Sequence, residues 1–252
     1  CVMRPTQQII APPKSGIKPG RRIYAVGDIH GRFDLLLELL HLIKNDAGAN
    51  QDNVLIFLGD YVDRGPDSRR VIEFLAKPAL QDFKVIPLKG NHEDMLLDFL
   101  NGEDLAPMWL GNGGRETLNS YGVDTAGLIG RSVSGVAVEK ARTSLRSAIP
   151  NAHLELLVSL DLWHREGDYL FVHAGLKPGV PLGQQKERDL IWIRKEFLDY
   201  DQDFGKIVVH GHSISNHPTI SANKIGIDTG AWRSDILTAL VLEGGHRRFL
   251  ST

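Results

Sequence analysis

Apolar runs closed by glycine recur along the first half of the chain. Each is followed by polar side chains and then by a stretch with helical spacing. Ile23-Tyr24-Ala25-Val26, Val54-Leu55-Ile56-Phe57-Leu58 and Val85-Ile86-Pro87-Leu88 are the first three. Short continuous apolar runs of this kind read as strands buried on both faces. Between the first two, Phe33 to Asp46 carries leucine on more than one stripe, which predicts a deeply packed helix with Gly48 as its C-cap. Pro66 and Asp67-Ser68 mark a second helix start, with its body from Arg69 to Leu80. Glu93 to Leu100 reads as a third. The order β-α-β-α-β-α favours a parallel sheet.

From Asn101 to Asn151 the pattern loosens. Trp109-Leu110-Gly111-Asn112-Gly113-Gly114-Arg115 is rich in turn residues and precedes a short helical stretch, Glu116 to Tyr121. Two further helices are expected, Val138 to Ile149 and His153 to Leu160, with Pro150 between them. After Gly167-Asp168 the pattern turns to short apolar runs: Tyr169 to Val172, Lys206 to Val209, Lys224 to Asp228 and Ile236 to Leu242. Their Gly and Asn turns suggest antiparallel pairing. Residues 1–21 hold four of the twelve prolines and read as an extension. Residues 22–252 read as a single domain.

Composition narrows the class. Of 252 residues, 42% are hydrophobic and 24% charged, as in ordinary globular proteins. The formal net charge of −2 implies no general affinity for nucleic acid or anionic membrane. No apolar run approaches the ~18 residues that span a bilayer. The single cysteine, Cys1, excludes an internal disulfide framework and fits a reducing compartment, so a cytoplasmic location is expected.

The strand ends carry specific chemistry. They read Gly27-Asp28-Ile29-His30-Gly31, Gly59-Asp60-Tyr61-Val62-Asp63-Arg64-Gly65 and Gly90-Asn91-His92-Glu93. Later come His173-Ala174-Gly175 and His210-Gly211-His212-Ser213. Loops at the carboxyl ends of strands are where α/β sheets gather ligands. The spacing Asp28-x-His30 puts both side chains on one side of an extended segment. In this order the motifs resemble the phosphoprotein phosphatase family, the metal-dependent serine/threonine phosphatases among the calcineurin-like metallophosphoesterases. The likeness runs from about Arg22 to Val241.

That resemblance implies an α/β fold, a four-layer α/β/β/α sandwich of two mixed β-sheets flanked by helices. Residues 101–151 would form a cap or groove wall. It implies two divalent metal ions, manganese first, with iron, zinc or cobalt as alternatives. Asp28 and His30 would hold one, and Asn91, His173 and His212 the other, with Asp60 bridging them. His92 would be the general acid and Asp63 its partner. Arg64 and Asn91 would meet the substrate phosphate. Leu190-Ile191-Trp192-Ile193-Arg194 resembles a second family segment and makes Arg194 a further clamp.

The implied reaction is attack of a metal-bound hydroxide on a phosphorylated protein or peptide at serine or threonine, extending to dual specificity. The chemistry needs these groups: a phosphate monoester resists anionic attack, paired metals offset its charge, and a poor alkoxide leaving group needs a proton. Arg64 offers a fork matched to phosphate oxygens. The alternative is a symmetrical bis(5'-nucleosyl)-tetraphosphatase or other nucleotide hydrolase. A non-catalytic scaffold is disfavoured because no motif position is lost. Ile214 stands where the wider superfamily often has a second histidine, which argues against a phosphodiesterase. His210 is expected in a supporting or packing role and His41 as a helix-surface or packing histidine. Arg115 is expected in a surface salt bridge, with a substrate contact as the alternative, Glu93 as a helix-start residue, and Asp228-Thr229-Gly230-Ala231 as a turn near the site without a catalytic part.

Overall fold

A computed structural model describes residues 9–10, 16–48, 52–77, 80–103, 105–129 and 133–252. In chain order, β1 (Ile9–Ile10) leads to β2 (Arg21–Val26), α1 (Phe33–Asp46), β3 (Asp52–Phe57), α2 (Ser68–Ala76), β4 (Phe83–Pro87) and α3 (Asn91–Asn101). Helices follow: α4 (Ala106–Trp109), a kinked turn (Leu110–Gly114), α5 (Arg115–Ser120), α6 (Gly135–Ala148) and α7 (Asn151–Ser159). The remainder is β5 (Trp163–Glu166), β6 (Tyr169–Val172), α8 (Glu187–Trp192), α9 (Lys195–Leu198), β7 (Ile207–His210), β8 (Thr219–Ile220), β9 (Lys224–Gly226), α10 (Ala231–Ser234), β10 (Thr238–Glu243) and β11 (His246–Ser251).

Two mixed sheets form, ordered β1-β11-β10-β2-β3-β4 and β5-β6-β7-β9-β8. Side chains alternate faces along a strand, and both faces of the central strands are buried. In β2, Ile23 and Ala25 face the other sheet, while Tyr24 and Val26 meet the helices. In β6, Tyr169 and Phe171 face the first sheet, while Leu170 and Val172 meet Leu190, Ile191 and Phe197 of α8 and α9. The layers are therefore helix, sheet, sheet, helix, as the motifs implied. Strands buried on both sides lose the alternating signature and read as the unbroken apolar runs seen above.

Several boundaries differ from the sequence reading. Helix α1 has no glycine cap; Ala47 turns extended at φ −66°, ψ 117° and donates its N–H to Ile43 O. Helix α2 stops at Ala76, short of Leu80, because Lys77 precedes a proline and is pushed out of the helical region to φ −140°, ψ 69°. Helix α3 starts at Asn91, two residues earlier than read, so Asn91 and His92 sit in its first turn. The glycine-rich 110–114 segment joins α4 to α5 across a kink, where Gly113 leaves the helical region at φ 103°, ψ 12°.

The expected antiparallel pairing of the later strands holds only in part. Strand β10 does run antiparallel to β2 and β11, but β6, β7 and β9 are mutually parallel. Parallel neighbours need a crossover, and residues 173–206 supply one with α8 and α9. Of the extension, Ile9–Ile10 pairs with β11 and Ile17 is buried between the sheets; residues 1–8 and 11–15 lie outside the described residues.

Register brings the catalytic-type loops to one edge. Val26, Phe57 and Pro87 are direct partners at the ends of β2, β3 and β4. Val172, His210 and Gly226 are partners at the ends of β6, β7 and β9. The layer between the sheets fixes how far apart these two sets of ends lie. Phe171→Ala in that layer is expected to cost about 3–5 kcal/mol, read as a lower urea midpoint; a loss under ~1 kcal/mol would show that the layer repacks freely.

Candidate active site

Asp60 follows β3 and is almost wholly buried. Three imidazoles face its carboxylate: His173 Nε2 lies 3.4 Å from Oδ1, and His30 Nε2 and His92 Nε2 lie 3.5 Å and 3.8 Å from Oδ2. Two sets of groups have donor atoms within 4.8 Å of one another: His30, Asp60, His92, and Asp60, His173, His212. Asp60 belongs to both, the place a bridging ligand must occupy. Asn91 Oδ1 lies 3.0 Å from His173 Nε2. Asp28 falls outside both sets; its carboxylate accepts the His212 N–H at 3.1–3.2 Å.

Hydrogen bonds settle the histidine tautomers. His173 Nδ1 donates to Leu58 O at 2.9 Å and His30 Nδ1 to Val62 O at 2.9 Å. Each Nε2 therefore presents a lone pair. At His173 that lone pair faces the oxygens of Asp60 and Asn91. His212 Nε2 is buried with no hydrogen-bond partner. Acceptors crowded face to face repel unless positive charge lies among them, and carboxylate, amide oxygen and imidazole suit first-row divalent cations. The residues fit a metal pair.

Electrostatics agree. Burial keeps His30, His173 and His212 neutral by lowering their pKa values, the form that ligates metal. Burial opposes the Asp60 carboxylate; positive charge on the neighbouring rings of His173, His92, His30 and His212, toward which only His92 is held, keeps the carboxyl below its usual range. Asp28 goes the other way: burial, then Asp228 and Asp60, push it well above the ordinary carboxyl value. Asp228, two residues beyond β9, accepts the Gly230 N–H at 2.9 Å, and burial pushes its carboxyl up to about 6.

His92 differs from the other three. Its Nδ1 is 2.6 Å from Asp63 Oδ2, and Asp63 is fully buried. Burial pulls the His92 pKa down, yet Asp60 and Asp63 together raise it above the free value. Asp63 is itself fixed by donors from residues 101–151: Trp109 Nε1 lies 3.0–3.1 Å from both its oxygens, and Thr117 Oγ1 donates at 2.6 Å. The Asp63 N–H is shared by Ser68 and Thr117 hydroxyls at 3.0 and 2.9 Å.

Glu93 is more than a helix-start residue. It is buried, and its carboxylate accepts the N–H groups of Asp60 at 2.8 Å, Tyr61 at 2.7 Å and Gly90 at 2.9 Å. One side chain thus ties the β3 loop to the β4 loop. Gly59 allows the approach: its φ is +106°, and a Cβ there would lie 2.6 Å from Gly90 N. His30, Asp60, Asp63, Arg64 and His212 also have positive φ. Five non-glycine residues in that region cluster only where a site over-determines them.

The remaining expected residues are placed as follows. Arg64 donates Nη1 to His30 Nε2 at 2.8 Å, and its N–H reaches Gly113 O at 3.2 Å. Arg194 is exposed between α8 and α9, and its charge helps to lower the His173 and His212 pKa values. His210 packs edge-on against Phe197 with ring centroids 5.0 Å apart, and burial lowers it to about 4. His41 is exposed on α1 and meets Asn45. Trp109, Thr117, Ser68 and Asp228 were not among the expected site residues. Asp228 follows the same pattern of apolar strand then acid and was legible; the other three act only through Asp63.

The family model described as calcineurin-like phosphoesterase matches residues 21–219. The chain is 36% identical over 97 residues to serine/threonine-protein phosphatase 1 of Salmonella typhimurium, a match spanning 38% of this chain and 41% of that protein. It is 29% identical over 228 residues to serine/threonine-protein phosphatase 2 of the same organism, spanning 86% and 91%. An asymmetrical bis(5'-nucleosyl)-tetraphosphatase of Bacillus velezensis is 25% identical over 240 residues, spanning 84% and 86%. Among solved structures, a candidate diadenosine tetraphosphatase superposes with a TM-score of 0.63 at 22% identity, covering 97% of this chain and 98% of that one; a likeness at that identity shows the fold.

Thr117→Val keeps the side-chain shape but strips Asp63 of a donor and an acceptor. It is expected to cost about 1–3 kcal/mol in urea unfolding; wild-type stability would mean that Asp63 is held without it.

Proposed function

The chain belongs to the calcineurin-like phosphoesterase family, and we propose that within it the protein is a serine/threonine protein phosphatase, a phosphomonoesterase working with two divalent metal ions. The observation that carries this reading is the Asp60 carboxylate ringed by imidazoles, beside a separate His92–Asp63 pair. The whole-length likeness to a Salmonella serine/threonine-protein phosphatase supports the substrate class.

His30, Asp60, Asn91, His173 and His212, with Asp28 alongside, would hold the metals. A bound pair would neutralise phosphate charge and acidify a water. The chain's own side chains supply the rest. Arg64 forks onto the phosphoryl oxygens, and Arg194 approaches the opening from the α8–α9 junction as a second clamp. Asn91, at the first turn of α3, adds a polar contact. Asp63 fixes the His92 ring through Nδ1, so Nε2 is the atom that carries a proton to the leaving alkoxide. As a water-derived hydroxide bonds to phosphorus in line, the ester P–O bond breaks; the seryl or threonyl oxygen takes the electron pair and the His92 proton.

A second reading has one specific support, the likeness to the Bacillus velezensis tetraphosphatase. Turnover of a phosphoserine peptide against a dinucleoside tetraphosphate, at equal concentration and with each metal in turn, separates the two. Manganese is the expected best activator. Hydrolysis of the dinucleotide alone would overturn the protein phosphatase reading.

Removing the acid should show in the leaving group. His92→Asn is expected to lower turnover of a phosphoserine peptide about 10²–10⁴-fold, and of an aryl phosphate less, since a phenolate leaves unaided. Equal losses on both would remove the acid role. The pH profile follows from the raised His92 pKa: the protonated form is present below it, and activity is lost as pH rises through it. Asp63→Asn removes one of the two charges that raise it and is expected to move the alkaline limb of kcat/KM to lower pH; an unmoved limb would assign that limb to another group.

A further inference from the structure

Beside Arg64 lies a cleft of about 470 Å³, lined among others by Arg64, Arg115, Glu116, Ile214 and Trp232. Only Arg64 of these is used by the reaction above. Arg115 opens α5, and the surface salt bridge expected of it is not formed: among the described residues no ion pair involves it. Its Nε is buried without a hydrogen-bond partner. A guanidinium partly withdrawn from water and left unpaired is costly, and an anion seated against it removes that cost.

The cleft joins the metal-binding residues through Arg64. One end of that side chain reaches His30, and its guanidinium lies 5.2 Å from the ring centroid of Trp232. A substrate whose phosphoryl group meets Arg64 has this cleft, with Trp232 and Arg115, beside it for its adjoining atoms. Gly113 holds this arrangement tight: at φ +103° it accepts the Arg64 N–H, and a Cβ there would lie 2.5 Å from Arg64 N.

Building on the protein phosphatase reading, we infer that Arg115 and Trp232 form a subsite for an acidic residue flanking the phosphorylated residue of the substrate. Charge counting favours one carboxylate. The lining carries two arginines and one glutamate. With Arg64 on the phosphoryl group, Arg115 remains for one further anion, and Glu116 repels a run of phosphates. Trp232, 38% exposed, offers an indole face to the aliphatic part of that residue.

The test compares three phosphoserine peptides that differ only in Glu, Gln or Lys beside the phosphoserine. Wild type is expected to show about a tenfold higher kcat/KM on the Glu peptide, a ratio that shrinks at high ionic strength. Arg115→Gln is expected to bring the ratio near one, and Arg115→Glu to favour a Lys peptide instead. Each ratio is internal to one enzyme sample, so partial misfolding does not distort it. Equal rates in wild type, or an undiminished preference in Arg115→Gln, would overturn the subsite while leaving the phosphatase reading intact. Failure to hydrolyse any of the peptides would overturn that reading and the subsite with it.

Discussion

A carboxylate shut away from water persists only where donors or positive charge surround it. Asp60 meets that condition in part with His92, whose backbone N–H it accepts at 3.0 Å and whose ring is held toward the protonated form. The neutral imidazoles of His30, His173 and His212, drawn from loops of both sheets, would complete it through the cations they could hold. Glu93 is a second buried carboxylate a few ångströms away, and it is satisfied by backbone N–H groups instead. The two solutions depend on each other, because the N–H groups that Glu93 collects belong to the loop that presents Asp60. The apolar layer between the sheets is therefore part of the chemistry. It sets the distance from Asp60 and Asn91 on one sheet to His173 and His212 on the other.

Convergence of this kind bends backbone. His30, Asp60, Asp63, Arg64 and His212 all adopt left-handed conformations, each costing roughly 1 kcal/mol or more. Burial of strands on both faces offsets that strain, which helps to explain why the runs feeding these loops contain no polar interruption. Local geometry is thus set by tertiary packing and not by the loops' own preferences.

Much of this was legible in the chain. The strand runs at Ile23, Val54 and Val85 and the bounds of α1 follow from pattern, and the family motifs mark every side chain around Asp60. What escaped has physical reasons. Strand β5 has only a weak alternation and β11 is rich in charge, so neither announces itself. The parallel order of β6, β7 and β9 was hidden because apolar runs look alike whichever way a neighbour runs. Glu93 looks like any acid at a helix start until the loop it binds is seen. Trp109 and Thr117 contact no reacting group, and nothing local to them reveals that Asp63 is their partner. Arg115 was read as one half of an ion pair, and its second half is missing among the described residues.

Trp109 and Thr117 also bear on how such a scaffold diversifies. A capping segment that only walled the groove would be an interchangeable accessory, free to be replaced when a lineage takes up a new substrate. Here Trp109 and Thr117 brace the His92–Asp63 pair from behind, so a transplanted segment would unseat that pair. None of the described residues from Tyr121 to Pro150 hydrogen-bonds to the Asp63 or His92 side chain, so a change of shape there leaves the supports of that pair in place.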